Sequence, residues 1–545
     1  GREPRQPARP RFQAVFCIDD REESLRRHLE EIAPDAETFG IAGFYGVAMH
    51  YRGAGDAHFR PLSPVIIKPQ HYVQEQVKYT LQESERRRAA GRRLLGVIQH
   101  RWHLRSRTFW GGMVAGFVGP LASIPLVMRV LFPRATARLR RLAGAVIEPP
   151  SATQLPLQRV ADPPGPAPGH RGYSLDEMAT IVHRVLLDMG LTSRLARLVI
   201  FHGHGSSSMN NPHESAYNCG ACSGGRGGPN ARAFAQMAND PRVRQRLKAS
   251  GLEIPEDTVF VGAYHNTCDD SVTWYDLNSL PVTHHSDFEQ AQQAIEEART
   301  RNAHERCRRF ESASLQLSPE EALRHVERRA VDLAEARPEY NHATNAVTLV
   351  GRRWRTRGLF LDRRAFLSSY DPELDDAEHT VLARVLQAAI PVCAGISLEY
   401  YFSAIDPEGW GCGSKLPHNV TGLLGVMSGA ASDLRPGLSA QMTEIHEPMR
   451  QLFVIETTPA AMLAIMARNP VIDRLVRGHW VQLATLDPHS TQLHIYTGDR
   501  FEPYWPQTTQ LPVAPSSLHW YRGWRGHLGF ALVDGSVASQ QEGRS

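Results

Sequence analysis

No charge of one sign dominates this chain. Lys and Arg number 61 against 57 Asp and Glu over 545 residues, a formal charge of +4. Such a small bias argues against a nucleic-acid or polyanion binder, so no nucleic acid is expected among its partners. Lysine is scarce: Lys68, Lys78, Lys248 and Lys415 are all there are, and arginine carries the rest. Cysteine is sparse and odd in number, at Cys17, Cys219, Cys222, Cys268, Cys307, Cys393 and Cys412. That excludes a disulfide framework and fits reduced thiols, some of them metal ligands. No signal peptide opens the chain. It begins at Gly1 with a strand-like run soon after, and is expected to be a piece of a longer protein. No internal repeat is visible. Long apolar runs are also few, which excludes a polytopic membrane protein. With 42% hydrophobic and 22% charged residues, there is ample material for a globular core.

Residues 1–11 are rich in Pro and Arg and are expected to form a tail or linker. Phe12 to Ile18 (FQAVFCI) is a short apolar run that predicts a buried strand, and REESLRRHLEEI (21–32) predicts a helix. Ile41 to Met49 is a second strand candidate, the beginning of an α/β layer. Residues 80–107 are basic and helical in pattern. The uncharged stretch Phe109 to Met128 follows, with the length of a membrane span but with Pro120, Pro125 and several glycines inside it. Three readings stand: a true span, a buried hairpin of the core, or a surface that docks to a membrane or membrane partner. Residues 148–169 are Pro-rich and read as an exposed loop. Ser174 with Glu177 forms a capping box opening a helix to Met189. RLVIF (197–201) and TVFVGAY (258–264) predict two more buried strands. Helices are expected over 284–345, and a mixed region from 347 onward, with strand candidates at 480–486 and 492–496.

The organisation expected is therefore a tail (1–11), an α/β core (12–283) with an inserted basic and apolar segment (80–134) and the loop 148–169, a helical segment (284–346), and a mixed α+β region (347–545) packed on the core. Three strands end in polar clusters of ligand type, where sites of open α/β sheets lie. These are Cys17-Ile18-Asp19-Asp20-Arg21, His202-Gly203-His204 leading to Cys219-Gly220-Ala221-Cys222, and His265 to Asp270. Two thiols, an imidazole and a carboxylate suit Zn²⁺. The Gly and Ser residues around His204 are expected to let the backbone pass close to a metal. Each element also has an ordinary reading. Cys17 could be a small core hydrophobe. The histidines could be a hydrogen-bonded loop pair. Cys219 and Cys222 could be a redox pair, although no second C-x-x-C unit exists to complete a four-cysteine zinc site.

Cys17-x-Asp19-x-Arg21 resembles the zinc loop of β-class carbonic anhydrases. Longer strings resemble the DabA family of inorganic-carbon transporter subunits: FCIDDREES (16–24), HGHGSSSMNNPHESAYNCGAC (202–222), HNTCDD (265–270), RPEYNHATNA (337–346), EYYFSAID (399–406) and GLSAQMTEIHEP (437–448). The resemblance runs from about Phe12 to the C-terminus; the family normally carries a sizeable further N-terminal region. It implies a β-carbonic-anhydrase-like, mostly parallel sheet core with large helical and mixed additions. It also implies zinc held by Cys17, Asp19, His204 and Cys219. His204 is preferred to His202 because the family's metal histidine precedes its second metal cysteine by fifteen positions, as His204 precedes Cys219. β-Carbonic anhydrases themselves place those two ligands three apart, so the likeness to them is one of site.

The chemistry implied is hydration of CO₂ to bicarbonate. Zinc lowers the pKa of bound water from 15.7 to about 7, provided a coordination position is open. Asp19 bound to the metal would close it. Arg21, whose fork matches a carboxylate, is expected to draw Asp19 away. Asp19 and Arg21 are thus the candidate catalytic residues; Arg21 could instead be a surface charge at the helix start, and Asp20 an acid at the helix dipole. The family resemblance further implies a cation-conducting membrane partner, DabB, and a peripheral position on the cytoplasmic side of the inner membrane. The segment 80–128 is the candidate dock. Two other readings stay open: a non-catalytic regulatory or scaffold subunit with a structural zinc, and a thiol-redox protein using Cys219 and Cys222.

Overall fold

The computed structural model describes residues 9–148, 152–208, 217–333, 335–414, 437–507 and 510–535. Two sheets organise them. The first contains β1 (Gln13–Phe16), β2 (Glu37–Gly40), β3 (Leu198–Gly205), β4 (Val259–Asn266) and β5 (Ser271–Trp274), in the order β5-β4-β3-β1-β2. β2, β1, β3 and β4 run parallel, and β5 closes the edge antiparallel. Helix α1 (Glu23–Ile32) links β1 to β2. β1 and β3 are buried along their whole length, as a parallel sheet covered on both faces requires. On one face Ala14, Phe16, Leu198 and Ile200 pack with Phe288, Ala291 and Ile295. On the other, Val15, Val199 and Phe201 join a larger core.

Residues between the two central strands form an inserted helical arm: α2 (Gln82–Arg105), α3 (Phe109–Leu131) and α4 (Pro133–Ile147). The chain returns through α5 (Leu175–Asp188), where Ser174 and Glu177 make the expected capping box. α6 (Gly228–Asn239) and α7 (Pro241–Ala249) connect β3 to β4. α8 (His285–Cys307) and α9 (Pro319–Val331) follow β5.

The second sheet contains β6 (Val347–Gly351), β7 (Ala365–Ser369), β8 (Leu452–Glu456), β9 (Gln482–Leu486), β10 (Leu493–Tyr496) and β11 (Phe501–Tyr504), in the order β7-β6-β8-β9-β10-β11. Again the first four run parallel, and antiparallel strands complete the edge. α10 (Thr380–Ile405) precedes β8, and the pair α11 (Pro459–Arg468) and α12 (Pro470–Arg477) precedes β9. α5, α6 and α7 stand in the same relation to β3 and β4. The fold is therefore repeated although the sequence shows no repeat. The two halves meet at equivalent strands: the Gly40 N–H on β2 donates to Ser369 Oγ on β7 at 3.0 Å, and the Leu367 N–H donates to Ile18 O at 2.9 Å. One continuous core joins Val15 and Phe201 to Val350, Phe366 and Ile455.

Three expectations need correction. Residues 41–48 are a turn region between β2 and a short strand at Met49–Arg52, not a strand. Tyr45 and Gly46 have positive φ (50° and 67°), a backbone that no strand adopts, and their neighbours are apolar because the turn packs on the core. His202, His204 and His265 lie on β3 and β4, which run further than their apolar cores suggested. The stretch from Phe109 is one helix through Pro120 and Pro125, capped by Thr108, with none of its apolar window buried; it is not a core hairpin.

Candidate metal centre

β1 ends at Phe16, and the next turn brings Cys17 and Asp19 to its carboxyl end. Asp19 caps the short turn Asp20–Glu22, its carboxylate accepting the Arg21 N–H at 3.0 Å. On the neighbouring strand β3 stands His204. Its carbonyl accepts the Gly227 N–H at 2.8 Å, and the Cys219 N–H donates to Gly225 O at 3.2 Å, so the cysteine loop is tied back over the strand end. Ligand atoms of Cys17, His204 and Cys219 all lie within 4.8 Å of one another. Asp19 sits at the edge of this cluster, with Oδ2 3.2 Å from His204 Nε2. It belongs to a second such group, with Asp20 and His342.

All these side chains are buried. Burial pushes the Cys17 and Cys219 thiols up from their ordinary pKa. Burial would lower His204, but the neighbouring thiol sulfurs and Asp19 hold it well above its ordinary value. Burial would likewise raise Asp19, yet Arg21, His342 and His204 hold it well below the carboxylate range. Arg21 is the main cause. Its Nε donates to Asp19 Oδ1 at 2.8 Å and its Nη2 to Oδ2 at 2.9 Å, while Nη1 donates to Tyr217 O at 2.7 Å and Asn341 Oδ1 at 2.8 Å. Arg21 is thus a fully buried clamp, and the surface-charge reading of it fails. Asp20 does stand in the first turn of the short helix that leads into α1, and it is also buried, with Oδ1 2.5 Å from His342 Nδ1.

The donor set fits a thiophilic divalent ion. Two thiols and an imidazole converge there, with Arg21 Nη2 3.4 Å from His204 Nε2 on the Asp19 side. His204 Nδ1 is buried and has no hydrogen-bond partner among the described residues. At Gly43 a Cβ would stand 3.0 Å from each of the Cys17 and Cys219 sulfurs, so only glycine leaves this space free. The glycines flanking His204 act differently from expectation. A Cβ on Gly203 would meet Gly227 O at 2.1 Å, so that glycine admits the cysteine loop and not a metal.

A cavity of about 20 Å³ opens on the cluster. Cys17, Asp19 and His204 line it, and Ile18, Ala42, Pro64, Phe366, Ala388, Val392 and Ile396 make the apolar part of its wall. Phe366 belongs to β7, and Ala388, Val392 and Ile396 to α10, so the second half of the chain closes the site.

Other sequence candidates are not in the cluster. The His202 ring stacks on Phe16 at 4.4 Å and its Nδ1 donates to Val15 O at 3.3 Å. Burial takes its pKa down to about 3, so it stays neutral. Cys222 is a buried free thiol whose sulfur faces Asn230 Oδ1 at 3.9 Å, an enclosed setting for a redox pair. His265 is clamped between Glu22 (2.8 Å) and Asp270 (3.0 Å) beside Arg306, which makes the third strand-end cluster a structural network. Residues 209–216 of the histidine-to-cysteine string lie outside the described residues.

Sequence reasoning gave no role to Gly43, Phe366, Asn341, His342, Arg337 or Glu339. Arg337 Nε donates to Glu339 Oε1 at 2.7 Å, and that oxygen accepts from Ser206 Oγ at 2.8 Å, bracing the turn after β3. Four of these six residues sit in the string RPEYNHATNA, a polar run without helical spacing that is buried in the structure; such density of side-chain donors and acceptors was the available signal.

Comparison with known proteins adds family evidence. The family described as "Probable inorganic carbon transporter subunit DabA" matches residues 1–481. A protein of that description from Rhodopirellula baltica is 59% identical over 528 residues, covering 97% of this chain and 49% of the relative. One from Sorangium cellulosum is 49% identical, covering 96% and 51%, and one from Methylococcus capsulatus is 46% identical, covering 96% and 49%. The chain spans about half the length of the curated relatives it matches.

Proposed function

From the premise that this chain belongs to the DabA family, we propose that it carries the zinc site of an energy-coupled inorganic-carbon uptake pump and hydrates CO₂ to bicarbonate there. The observation that carries this reading is the convergence of Cys17, His204 and Cys219 beneath an apolar cavity, with Asp19 gripped by Arg21 at its edge. Three ligands leave a tetrahedral ion one open position, the arrangement of a catalytic site. Zn²⁺ bound there would supply hydroxide near neutral pH by lowering the pKa of its water to about 7.

The chain's own residues do the rest. The wall of Ala42, Pro64, Phe366, Val392 and Ile396 suits an uncharged, linear molecule and excludes bulk water. Arg21 keeps Asp19 ionised and holds both its oxygens, so that Asp19 accepts a hydrogen bond from the nucleophile and orients it. Release of Asp19 from Arg21 toward the cluster would close the site, which makes this pair the gate through which uptake is coupled. In this reading the first half is a β-carbonic-anhydrase-like core, the partner is a DabB-like cation-conducting membrane subunit, and the chain lies peripherally on the cytoplasmic face of the inner membrane. The arm α2–α4, basic in α2 and apolar in α3, is the membrane-side contact: Phe109, Trp110 and Phe117 of α3 are each more than 70% exposed, an arrangement that marks an interaction surface.

A structural, non-catalytic metal is the second reading, favoured by the near-total burial of both thiols. Metal analysis and X-ray absorption on wild type, Cys17→Ala and His204→Ala test the site, with CO₂ uptake measured alongside. One zinc per chain on sulfur and nitrogen, lost with uptake in both variants, supports the proposal. Full metal occupancy in both variants overturns it. Asp19→Ala separates the two readings: retained zinc and stability with lost uptake supports catalysis, whereas unfolding supports a structural ion.

A further inference from the structure

The second sheet has a strand-end cavity of its own. In open parallel sheets ligands bind beyond the carboxyl ends of the strands, where the strand order reverses. In the first sheet that point lies between β1 and β3 and holds the cysteine–histidine cluster. In the second it lies between β6 and β8. The ladders match the two halves residue by residue. Phe16 pairs with Gly40 and Val15 with Phe201; Gly351 pairs with Ser369 and Val350 with Ile455. Cys17 therefore corresponds to Arg352, and His202 to Glu456.

This end holds a cavity of about 40 Å³ lined by Arg26, Arg352, Arg353, Arg355, Ser368 and Glu456. No thiol or imidazole lines it, and four guanidinium groups would repel a metal ion. Three of the four have carboxylate partners: Arg352 and Arg355 share Glu456, Arg352 also reaches the exposed Glu373, and Arg353 pairs with Glu30. Among the described residues, Arg26 has none within ion-pair distance. It is fully buried, held by Thr38 Oγ1 at 3.2 Å and by Leu367 O at 3.1 Å, one contact from each half of the chain. Burial and the neighbouring Arg353 bring its pKa down to about 9, against the opposing field of Glu30, Glu22 and Glu23, none of which pairs with it directly. A buried guanidinium without a direct carboxylate partner is destabilising.

We propose that this second strand-end cavity binds a small planar oxyanion on Arg26, at the seam between the two halves. The guanidinium fork matches a trigonal oxyanion, and the volume excludes anything as large as a nucleotide. Only the identification of that anion as bicarbonate rests on the proposed function. Since Leu367, Ser368 and Phe366 are neighbours on one strand, an anion on Arg26 sits behind the strand that walls the metal centre, a position from which bicarbonate could report to its site of formation.

The test is calorimetric titration of the full chain with bicarbonate, with nitrate and sulfate as competitors. Cys17→Ala, or wild type stripped of metal by a chelator if that variant does not fold, removes the metal centre from the experiment. Saturable one-to-one binding that persists there supports the site. So does weakening by at least about tenfold in Arg26→Met, the loss expected for one charged hydrogen-bonding partner. Ser368→Leu, which fills the cavity and leaves every arginine in place, should weaken binding similarly and serves if Arg26→Met fails to fold. Nitrate should compete and sulfate should not. Absence of binding in the metal-free protein, unchanged affinity in the folded cavity variants, or equal competition by sulfate overturns the proposal. Anion binding without zinc-dependent uptake would leave this site standing while removing the hydration scheme.

Discussion

At the carboxyl ends of β1 and β3 stand two thiols and an imidazole with one clamped carboxylate; at the matching ends of β6 and β8 stand Arg352, Arg355 and Glu456. Strand order, direction and flanking helices are shared between these regions. The difference lies in a handful of side chains at the end of each strand or just past it. A parallel sheet supplies converging strand ends, and what converges there is decided by a few side chains at those ends. The comparison also shows division of labour: Phe366 of the second half walls the first site, and Arg26 of the first half lines the second.

The comparison can be broken most forcefully at Glu456. Glu456→Gln leaves Arg352 and Arg355 against a neutral group, and should cost about 3–5 kcal/mol in chemical denaturation. Zinc content of the folded fraction should stay at wild type, because the two strand ends are separate sites. A parallel loss of metal would show that they are one. Arg21→Gln should act in the opposite way. Metal is retained, but CO₂ uptake falls about 10–100-fold because Asp19 loses its clamp, as for other residues that orient a metal site; metal analysis beside uptake assays reads both.

A smaller effect follows from His265, which Glu22 and Asp270 hold up to about 9 against the lowering effect of burial. Its pKa is raised on folding, so its contribution is complete below the unfolded value of about 6.5 and disappears as pH rises through about 9. Denaturation midpoints should therefore fall across that window, and His265→Gln should flatten the slope. The smallest change in stability is expected in the arm. Trp110→Ser with Phe117→Ser, both on the exposed helix α3, should shift folding by no more than about 0.5 kcal/mol yet reduce flotation with lipid vesicles. Unchanged flotation would remove the arm as the membrane contact.

Much of the first half was legible because its signals are local. A buried apolar run followed by Cys-x-Asp-x-Arg reads as a strand, a turn and a helix start, and Ser174 with Glu177 announces α5 without tertiary information. The limits were also local. Ile41 to Met49 is as apolar as a strand, but Tyr45 and Gly46 turn the backbone, and composition does not report φ. Apolarity could not separate a core hairpin from the exposed α3, since both need the same residue types. The strands β6, β7 and β8 went unnamed because short apolar runs among helices carry no distinctive period.

Sequence alone determined which atoms could bind a soft divalent ion, since thiol, imidazole and carboxylate chemistry belongs to residue type. It also determined that Arg21 could meet Asp19, two residues away across one turn. Only the tertiary structure decided that Cys17, His204 and Cys219 come within 4.8 Å, that Gly43 leaves them room, and that α10 and β7 roof the cavity. It alone revealed that the fold is repeated with an arginine cluster at the second strand end. These are contacts across hundreds of residues, set by how two sheets and their helices bury a common apolar core, and linear spacing holds no record of them.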